Sequence, residues 1–347
     1  MSTNSFYTLD SDAMIKFLNK ILMFFLPFII LVVCIVIADP FKVFLKYDNY
    51  YDDSQIINLN REYVSTQVYK KNAEKFNSFI LGNSRSLSYK CSEWEKFLTP
   101  ESKAFHFDAY GETIAGILDK LQYLNRNHAK INNALIILDY EMMSKEKVRL
   151  GTMFHTPPEL SNESYAEFCY NYLKYSLHPK FMLGLLDYNL FHKQRSYMKI
   201  LFIFSKYKNN YNPVNNEVSY GYEEDILHDS VNYYKNFEIN DPYFEQYTKK
   251  YEYVKISDEE IRILNEISSI LKFNKTEYKI VVSPLYDKIK LDDGRIKLLK
   301  DIFGEKNVYD FSGVNEITTE KTNFYESSHY RHKVANKIME TIYQTKQ

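Results

Sequence analysis

The sequence predicts an α/β fold built on a mainly parallel sheet with helices on both faces. Short apolar runs alternate, along most of the chain, with stretches whose apolar residues recur at helical spacing. The runs are almost continuously apolar, as expected for strands that are buried on both faces. Polar residues or glycines follow the ends of several runs, and sites in such sheets form beyond the carboxyl ends of the strands.

The bulk properties are those of a folded chain of 347 residues, enough for one large domain or two modest ones. Hydrophobic residues make up 45% and charged residues 26%, so the chain can bury a core and is not disordered. The formal net charge of −1 gives no electrostatic argument for a nucleic-acid partner. Cys34 lies in an apolar run and only Cys91 and Cys169 could pair, so the chain is not a disulfide scaffold.

A membrane anchor is predicted over residues 14–38, after a short N-terminal tail, residues 1–13. Residues 21–38 contain no charged side chain and would cover about 27 Å as a helix, close to the hydrocarbon core of a bilayer. The alternative is a cleaved signal peptide. The apolar run is longer than a usual signal sequence and residues 36–38 match a cleavage site poorly, which favours an uncleaved, single-pass anchor.

The lysines on the two sides of this anchor do not decide its orientation. Lys16 and Lys20 lie on one side, and Lys42 and Lys46 lie on the other, so the positive-inside count is nearly balanced. The short N-terminus makes insertion with the N-terminus inside the simpler route. The rest of the chain is then expected outside the cytoplasm.

Five strands are predicted in the remaining chain. The first, residues 78–81, is an apolar run that breaks at a Gly-Asn-Ser turn, and the second, residues 104–107, is weaker and short. The third, residues 134–138, reads Ala-Leu-Ile-Ile-Leu and ends at an aspartate. The fourth, residues 278–282, ends in Ser-Pro, and the fifth is the short segment 307–309.

Helices are predicted between and beside these strands. Residues 39–75 are expected to connect the anchor to the domain, with a charged, amphipathic helix over residues 55–76. Ser257 followed by Glu260 is a capping box that opens a helix over residues 258–273. The remaining predicted helices, each marked by apolar residues at helical spacing, cover residues 112–127, 292–303 and 332–343.

Residues 142–255 do not fit the alternation of strands and helices. They contain aromatic-rich helical stretches at residues 165–175 and 181–204, and a polar loop at residues 206–218. We interpret them as a helical insertion after the third strand, within a domain that spans residues 76–347. The insertion either packs as a cap over the strand ends or forms an independent helical subdomain without a role at the site.

Two short motifs have the residue types of a serine hydrolase. Gly82-Asn83-Ser84 follows the first strand, and Glu326-Ser327-Ser328-His329 precedes the last helix. A serine hydroxyl is a weak nucleophile until a base removes its proton, and a histidine can act as that base near neutral pH. A carboxylate three residues before the histidine can orient its ring. The two motifs therefore predict a Ser-His-acid centre.

Taken together, these features resemble the SGNH (GDSL-like) hydrolase superfamily, in particular its membrane-anchored bacterial branch related to alginate O-acetyltransferase and D-alanyl transfer proteins. The resemblance covers residues 76–145 and 275–345 and implies a flavodoxin-like, doubly wound sheet. The Gly-x-Ser block is Gly82-Asn83-Ser84, the glycine of the second block is Gly111, and the last block is Glu326-x-x-His329.

The resemblance also assigns roles. Ser84 would be the nucleophile, His329 the base and Glu326 the orienting acid, and the backbone N–H groups of Ser84 and Gly111 would form the oxyanion hole. A second group of residues, predicted to bind substrate, consists of Arg85, Asp139 and Tyr140. Arg85 could instead support the turn, and Asp139 could be a hydrogen-bonding residue at a strand end.

The sequence departs from the family pattern at two places. The acid is Glu326 where the family has aspartate, so the side chain is one methylene longer. The third block, Gly-x-Asn-Asp, is missing, and Leu138-Asp139-Tyr140-Glu141 stands after the third strand. An asparagine amide that would donate to the oxyanion is therefore absent.

The predicted function is that of an acyl esterase or O-acyltransferase, most simply for acetyl groups, acting on a cell-surface or secreted glycan. Its expected location is the bacterial cytoplasmic membrane, with the catalytic domain outside the cytoplasm and a multi-spanning membrane acyltransferase as partner. No cofactor, metal or nucleic acid is expected. The alternative is a non-catalytic, SGNH-fold subunit that binds glycan or assembles an envelope polysaccharide system, which the two departures favour.

Overall fold

The computed structural model describes residues 11–51, 57–144, 151–193, 195–199, 209–240, 250–252 and 255–344. The α-helices, in chain order, are α1 (Ser11–Ala38), α2 (Arg61–Asn72), α3 (Cys91–Trp94), α4 (Ile114–Arg126), α5 (Tyr140–Ser144), α6 (Tyr165–Ser176), α7 (Pro179–Phe191), α8 (Ser196–Lys199), α9 (Gly221–His228), α10 (Ser230–Asn240), α11 (Asp258–Phe273), α12 (Asp293–Phe303) and α13 (His332–Gln344). The strands are β1 (Ser78–Gly82), β2 (Ala104–Asp108), β3 (Asn133–Leu138), β4 (Asn210–Tyr211), β5 (Val218–Ser219), β6 (Lys250–Glu252), β7 (Glu277–Val282), β8 (Ile289–Leu291) and β9 (Val308–Asp310).

The central sheet of the described chain is parallel and contains the five predicted strands. Its order is β2-β1-β3-β7-β9. The pairing aligns Gly82 of β1 with Asp108 of β2 and with Ile137 of β3, so the carboxyl ends of these three strands lie at one edge. The α/β class and the mainly parallel sheet predicted from the sequence are confirmed.

Both faces of the sheet are buried, because alternate residues of each strand enter two separate apolar clusters. Leu81 packs on one face with residues of α2, α4 and α11, and Ile80 packs on the other with residues of α3 and α13. This arrangement explains why the strands read as almost continuous apolar runs. The packing of helices on both sides of the five parallel strands fixes the position of the loops that follow the carboxyl ends of the strands.

The N-terminal helix α1 is the one described helix that is long and apolar enough to cross a membrane. Within its span Asp12–Ala38, an 18-residue window has a mean hydropathy of 3.3 and lies outside the packed core. Side chains on one side of its last two turns are half-buried, and α6 is the insertion helix in contact with it. The coarse prediction of an N-terminal apolar helix is confirmed, with Pro27 inside it.

The segment predicted to connect anchor and domain is packed into the domain. The described helix there is α2, which begins after its N-cap Asn60 and is largely buried. Of the predicted helix 55–76, residues 55 and 56 lie outside the described residues, and residues 57–60 are not helical. Arg61 and Asp108 form a fully buried ion pair. The Arg61 guanidinium donates to both Asp108 carboxylate oxygens, at 2.6 and 3.0 Å. Charged residues that suggest a solvated helix in the sequence are therefore buried next to distant partners.

A second buried ionic cluster joins α2 to the loop after β2. The Lys120 ammonium of α4 lies 3.1 Å from a Glu62 carboxylate oxygen and also contacts the Glu112 carboxylate. All three side chains are almost completely buried. Burial and the nearby charge of Glu62 raise the pKa of Glu112 to about 7, although the charge of Lys120 acts in the opposite direction.

The insertion, residues 142–255, contacts the domain in two regions. Helices α6 and α7 pack near the end of α1, where Phe41 stacks on Phe181. The β4–β5 hairpin stands within the predicted polar loop 206–218, of which residues 206–208 lie outside the described residues. The hairpin and the helices after it pack towards the C-terminal motif. Of the predicted helix 181–204, α7 and α8 are described, and residues 194 and 200–204 lie outside the described residues.

Candidate active site

The turn that carries Ser84 is fixed by the close approach of two strands. A Cβ atom on Gly82 would lie 2.8 Å from the Ile137 carbonyl oxygen and 2.9 Å from the Ser86 Cβ atom, so only glycine fits there. Asn83 caps the short 3-10 helix Ser84–Ser88, and its side-chain oxygen accepts a hydrogen bond from the Arg85 N–H at 3.0 Å. Ser84 therefore begins a turn that is held at the carboxyl edge of β1.

Ser84, His329 and Glu326 form one hydrogen-bonded chain. The His329 Nε2 atom lies 2.8 Å from the Ser84 Oγ atom, and the His329 Nδ1 atom contacts the Glu326 carboxylate. The serine and histidine are 245 residues apart in sequence, and the fold brings them together from the first and last blocks of the domain. Both are only partly buried, so a ligand in solvent can reach them.

The loop that presents His329 is braced by its own backbone. Phe324 and Tyr330 form an antiparallel bridge, and the Tyr325 N–H donates to the His329 carbonyl oxygen at 2.9 Å. The Ser328 N–H donates to the second Glu326 carboxylate oxygen at 2.9 Å. The longer glutamate side chain is thus held by a backbone donor as well as by the imidazole ring.

The electrostatics of this loop favour an ionised acid. Burial opposes ionisation of Glu326, but the hydrogen bond and charge of His329, the Ser328 N–H and the charge of Arg85 outweigh it and hold the pKa of Glu326 below its usual value. An ionised carboxylate at Nδ1 directs the lone pair of the other ring nitrogen towards the serine hydroxyl.

Arg85, predicted to bind substrate or to support the turn, makes the contacts of a supporting residue. Its guanidinium donates to an Asp139 carboxylate oxygen at 2.6 Å and to the Ser328 carbonyl oxygen at 3.1 Å. The same Asp139 oxygen accepts from the Asn83 side-chain amide at 2.5 Å. Arg85 therefore links the serine turn, the end of β3 and the histidine loop.

Asp139 and Tyr140 stand where the family pattern has its third block. The other Asp139 carboxylate oxygen accepts from the Met142 N–H at 3.0 Å, so both oxygens are engaged and the buried side chain acts as a strand-end hydrogen-bonding group. Tyr140, the first residue of α5, is half-buried. Asp139 supplies no donor for an oxyanion.

Gly111, the second predicted oxyanion donor, lies at the same edge as Ser84. The Ala109 N–H donates to the Gly82 carbonyl oxygen at 3.3 Å, which carries the pairing of β1 and β2 past the end of β2. Gly111 has φ +58°, a left-handed conformation that favours glycine. The fold thus brings the two predicted backbone donors to neighbouring loops.

Tyr220 of the insertion also contacts the site, although no motif or spacing in the sequence marks it. Its hydroxyl donates to the Ser84 carbonyl oxygen at 3.0 Å, and its ring centroid lies 6.1 Å from that of His329. The Tyr233 hydroxyl donates to the Tyr325 carbonyl oxygen at 2.5 Å, and Glu223 pairs with Arg331. Part of the insertion therefore packs on the loop that carries the histidine, as the cap interpretation expects.

A second serine–histidine contact lies nearby but is inaccessible. The Ser86 Oγ atom is 3.0 Å from the His106 Nε2 atom, and both residues are fully buried. Burial lowers the pKa of His106 to about 4. A substrate in solvent cannot reach this pair, whereas Ser84 and His329 are partly exposed.

The described residues contain no group of three or more histidine, cysteine or acidic side chains that could hold a metal ion. Cys34, Cys91 and Cys169 are all free thiols, so the pairing left open for the last two is not formed. No family model matches the chain, and no curated protein matches it.

Proposed function

We propose that this chain is a membrane-anchored serine esterase or O-acyltransferase of SGNH type that acts on a cell-surface or secreted glycan. The observation that carries the proposal is the chain of contacts from Ser84 Oγ to His329 Nε2 and from His329 Nδ1 to Glu326. The strand order of the central sheet, with the first strand between the second and third, supports a flavodoxin-like fold. In such folds ligands bind beyond the carboxyl ends of the strands.

The proposed reaction has two half-reactions through an acyl-serine. His329 takes the proton of the Ser84 hydroxyl as the oxygen attacks the carbonyl carbon of an ester, and the same proton passes to the departing alcohol. An acyl group then joins Ser84 through an ester bond. A second hydroxyl, from water or from a sugar, loses its proton to His329 and attacks the carbonyl carbon of this ester. The bond to Ser84 Oγ breaks, His329 returns the proton to Oγ, and the acyl group leaves on the acceptor oxygen as a free acid or a sugar ester.

The developing oxyanion would be held by the backbone N–H groups of Ser84 and Gly111. Asp139 at the end of β3 cannot act as a third donor, since its carboxylate already accepts hydrogen bonds from Asn83, Arg85 and Met142. Removing one oxyanion donor costs about 10²–10³-fold in rate in serine hydrolases. We therefore expect a slower enzyme than one with three donors.

The acceptor decides between hydrolysis and transfer, because both share the acyl-serine. Membrane anchoring and the glycan substrate favour acetyl transfer with a multi-spanning acyltransferase as the source of acyl groups. The domain would lie outside the cytoplasm of a bacterial cell. Tyr220 is 6% exposed, and its hydroxyl donates to the Ser84 carbonyl oxygen, so it supports the serine turn from inside the fold.

The second candidate function is a non-catalytic subunit that binds glycan or assembles a polysaccharide system. The observation that favours it is the position of Asp139, which replaces the expected amide donor with a carboxylate. The retained Ser84–His329 contact opposes it. Reactivity of Ser84 separates the two candidates.

The test is labelling of the purified full-length chain with a fluorophosphonate probe, together with hydrolysis of a small acetyl ester. The wild-type chain should label and turn over the ester, whereas Ser84→Ala and His329→Ala should lose both activities and keep the fold. Ser328→Ala is the matched control. Ser328 is exposed, and its contacts with Glu326 and Arg85 use its backbone N–H and carbonyl groups, which alanine keeps. A wild-type chain that neither labels nor hydrolyses any acetyl ester would favour the binding subunit.

A further inference from the structure

Helix α7 carries an exposed apolar stripe, defined here as Leu183, Leu186 and Leu190. The three side chains recur at i, i+3 and i+7 and are 62%, 56% and 73% exposed. The opposite side of the helix is packed, with Phe181 and Gly184 buried. A helix that is apolar on both its packed and its exposed side is unusual at a purely aqueous surface.

The start of α7 lies next to the end of the anchor helix α1. Phe41, three residues after the last residue of α1, stacks on Phe181 of α7 with ring centroids 4.9 Å apart. Phe41 also contacts Tyr172 and Tyr175 of α6, each at 5.5 Å, and α6 contacts α1 directly. The exposed stripe therefore begins close to the level at which α1 ends.

The chain between α1 and these helices is fixed by hydrogen bonds. The Asp39 carboxylate accepts from the N–H groups of Val43, Phe44 and Leu45 at 2.8, 2.9 and 2.8 Å. The Tyr165 hydroxyl of α6 donates to the Val43 carbonyl oxygen at 2.7 Å. A bilayer that holds α1 would thus also set the position of α6 and α7.

We infer that α7 lies in the lipid–water interface of the bilayer that holds α1, with its apolar stripe against the acyl chains. The inference goes beyond the proposed chemistry and rests only on α1 being a membrane helix. Exposed Lys180 and Lys193 stand near the two ends of α7, where ammonium groups reach lipid phosphates. Asp187, on the flank of the stripe, is paired with Arg195 at 2.6 Å and brings no free charge to the interface.

The experiment uses tryptophan quenching by brominated acyl chains in the full-length chain, reconstituted in phosphatidylcholine vesicles. The chain has one tryptophan, Trp94, which is fully buried and leaves a low, constant background. The Leu186→Trp variant should lose most of its added emission in brominated lipid compared with ordinary lipid. Leu190→Trp repeats the test on the same stripe if Leu186→Trp does not fold.

Two further variants make the result decisive. Phe24→Trp, in the exposed middle of α1, should be quenched and shows that the anchor is inserted. Phe273→Trp is the matched control, because Phe273 is 78% exposed and lies far from the anchor. Phe273 ends α11 just before the amino edge of the sheet, whereas the anchor junction packs near α2, whose Arg61 pairs with Asp108 at the carboxyl end of β2. It should not be quenched.

Four results would overturn the inference. Equal quenching at positions 186 and 273 would show that lipid contact is unspecific. An unquenched Leu186→Trp with red-shifted emission would place the stripe in water, and one with blue-shifted emission would place it against protein, such as a second copy of the chain. Loss of quenching at Phe24→Trp would remove the membrane anchor itself and leave the proposed serine chemistry unaffected.

Discussion

Glu326 is held at both ends of its carboxylate, although its side chain is one methylene longer than the aspartate of the SGNH pattern. Its two carboxylate oxygens have different partners, one at the His329 ring and the other at the Ser328 N–H. The hydrogen bond from the Ser328 N–H holds the side chain in place despite its extra methylene, the feature by which Glu326 departs from the aspartate of the family pattern. The substitution is therefore compatible with an oriented histidine, which weakens one of the two arguments for a non-catalytic subunit.

The role of this acid can be tested by removing its charge without changing its size. Glu326→Gln should lower kcat for a small acetyl ester by up to about 10⁴-fold, the loss typical when the acid of a serine triad becomes an amide. The fold should persist because Glu326 lies in a surface loop. Glu326→Asp, which keeps the charge, is the control and should lose less. Wild-type kcat in Glu326→Gln would remove Glu326 from the mechanism.

His106 predicts a pH dependence of stability that is separate from catalysis. Burial lowers its pKa in the folded chain from 6.5 to about 4. Between these pH values the unfolded chain binds the proton and the folded chain does not, so the free energy of unfolding should fall as pH falls. The loss from this group between pH 7 and pH 5 is about 2 kcal/mol.

Urea unfolding of the detergent-solubilised chain at the two pH values measures this effect. His106→Gln should show a smaller difference between pH 7 and pH 5 than the wild-type chain. His178→Gln, a change at an exposed histidine, is the control and should keep the wild-type difference. An unchanged difference in His106→Gln would mean that other groups cause the pH dependence.

At the scale of the element, the end of β1 combines a packing constraint with the position of Ser84. Gly82→Ala should destabilise the chain by about 1–3 kcal/mol, because the new Cβ atom would overlap the Ile137 carbonyl oxygen and the Ser86 side chain. The same shift would move Ser84 and lower ester turnover. Thermal unfolding and kcat measure the two effects.

Gly184→Ala is the matched control for this prediction. Gly184 lies inside α7, and a Cβ atom there would meet nothing within 4 Å. Alanine in a helix interior is more stable than glycine by about 0.5–1 kcal/mol, so this variant should be slightly stabilised and fully active. Equal behaviour of the two variants would show that close packing at Gly82 does not position the serine.

The elements that follow local rules could be predicted from the sequence. The five strands of the central sheet lie within one residue of their predicted ends, and α11 begins after Ser257, whose hydroxyl accepts from the Glu260 N–H at 2.9 Å. The serine motif lies at the carboxyl end of β1, as predicted, and the histidine motif contacts it. These features depend on apolar periodicity, capping and strand order, which are visible in a single sequence.

The features that depend on distant partners could not be predicted. Arg61 reads as part of a charged connecting helix, yet it is buried against Asp108, 47 residues further along the chain. Tyr220 stands in an aromatic-rich insertion where no spacing distinguishes it from other tyrosines. Periodicity reports which residues are polar, and it does not report which polar residues find a partner in the folded chain.

At the scale of the whole molecule, the side of the membrane is the first property to test. We expect the domain outside the cytoplasm, because the cell-surface glycan of the proposed reaction lies on that side of the membrane. A C-terminal alkaline phosphatase fusion, which is active only outside the cytoplasm, should be active. Deleting residues 1–38 should abolish that activity, and an inactive fusion to the full chain would reverse the orientation.

The buried cluster of Glu62, Lys120 and Glu112 has a consequence for how this chain can evolve. Loss of Lys120 leaves the Glu62 and Glu112 carboxylates buried without their cation, which costs about 3–5 kcal/mol, whereas replacing the whole set by apolar residues can be neutral. The three positions should therefore change together among homologous chains. Because Glu62 belongs to the segment next to the anchor, an anchor with its adjoining residues cannot be exchanged between relatives as an independent module.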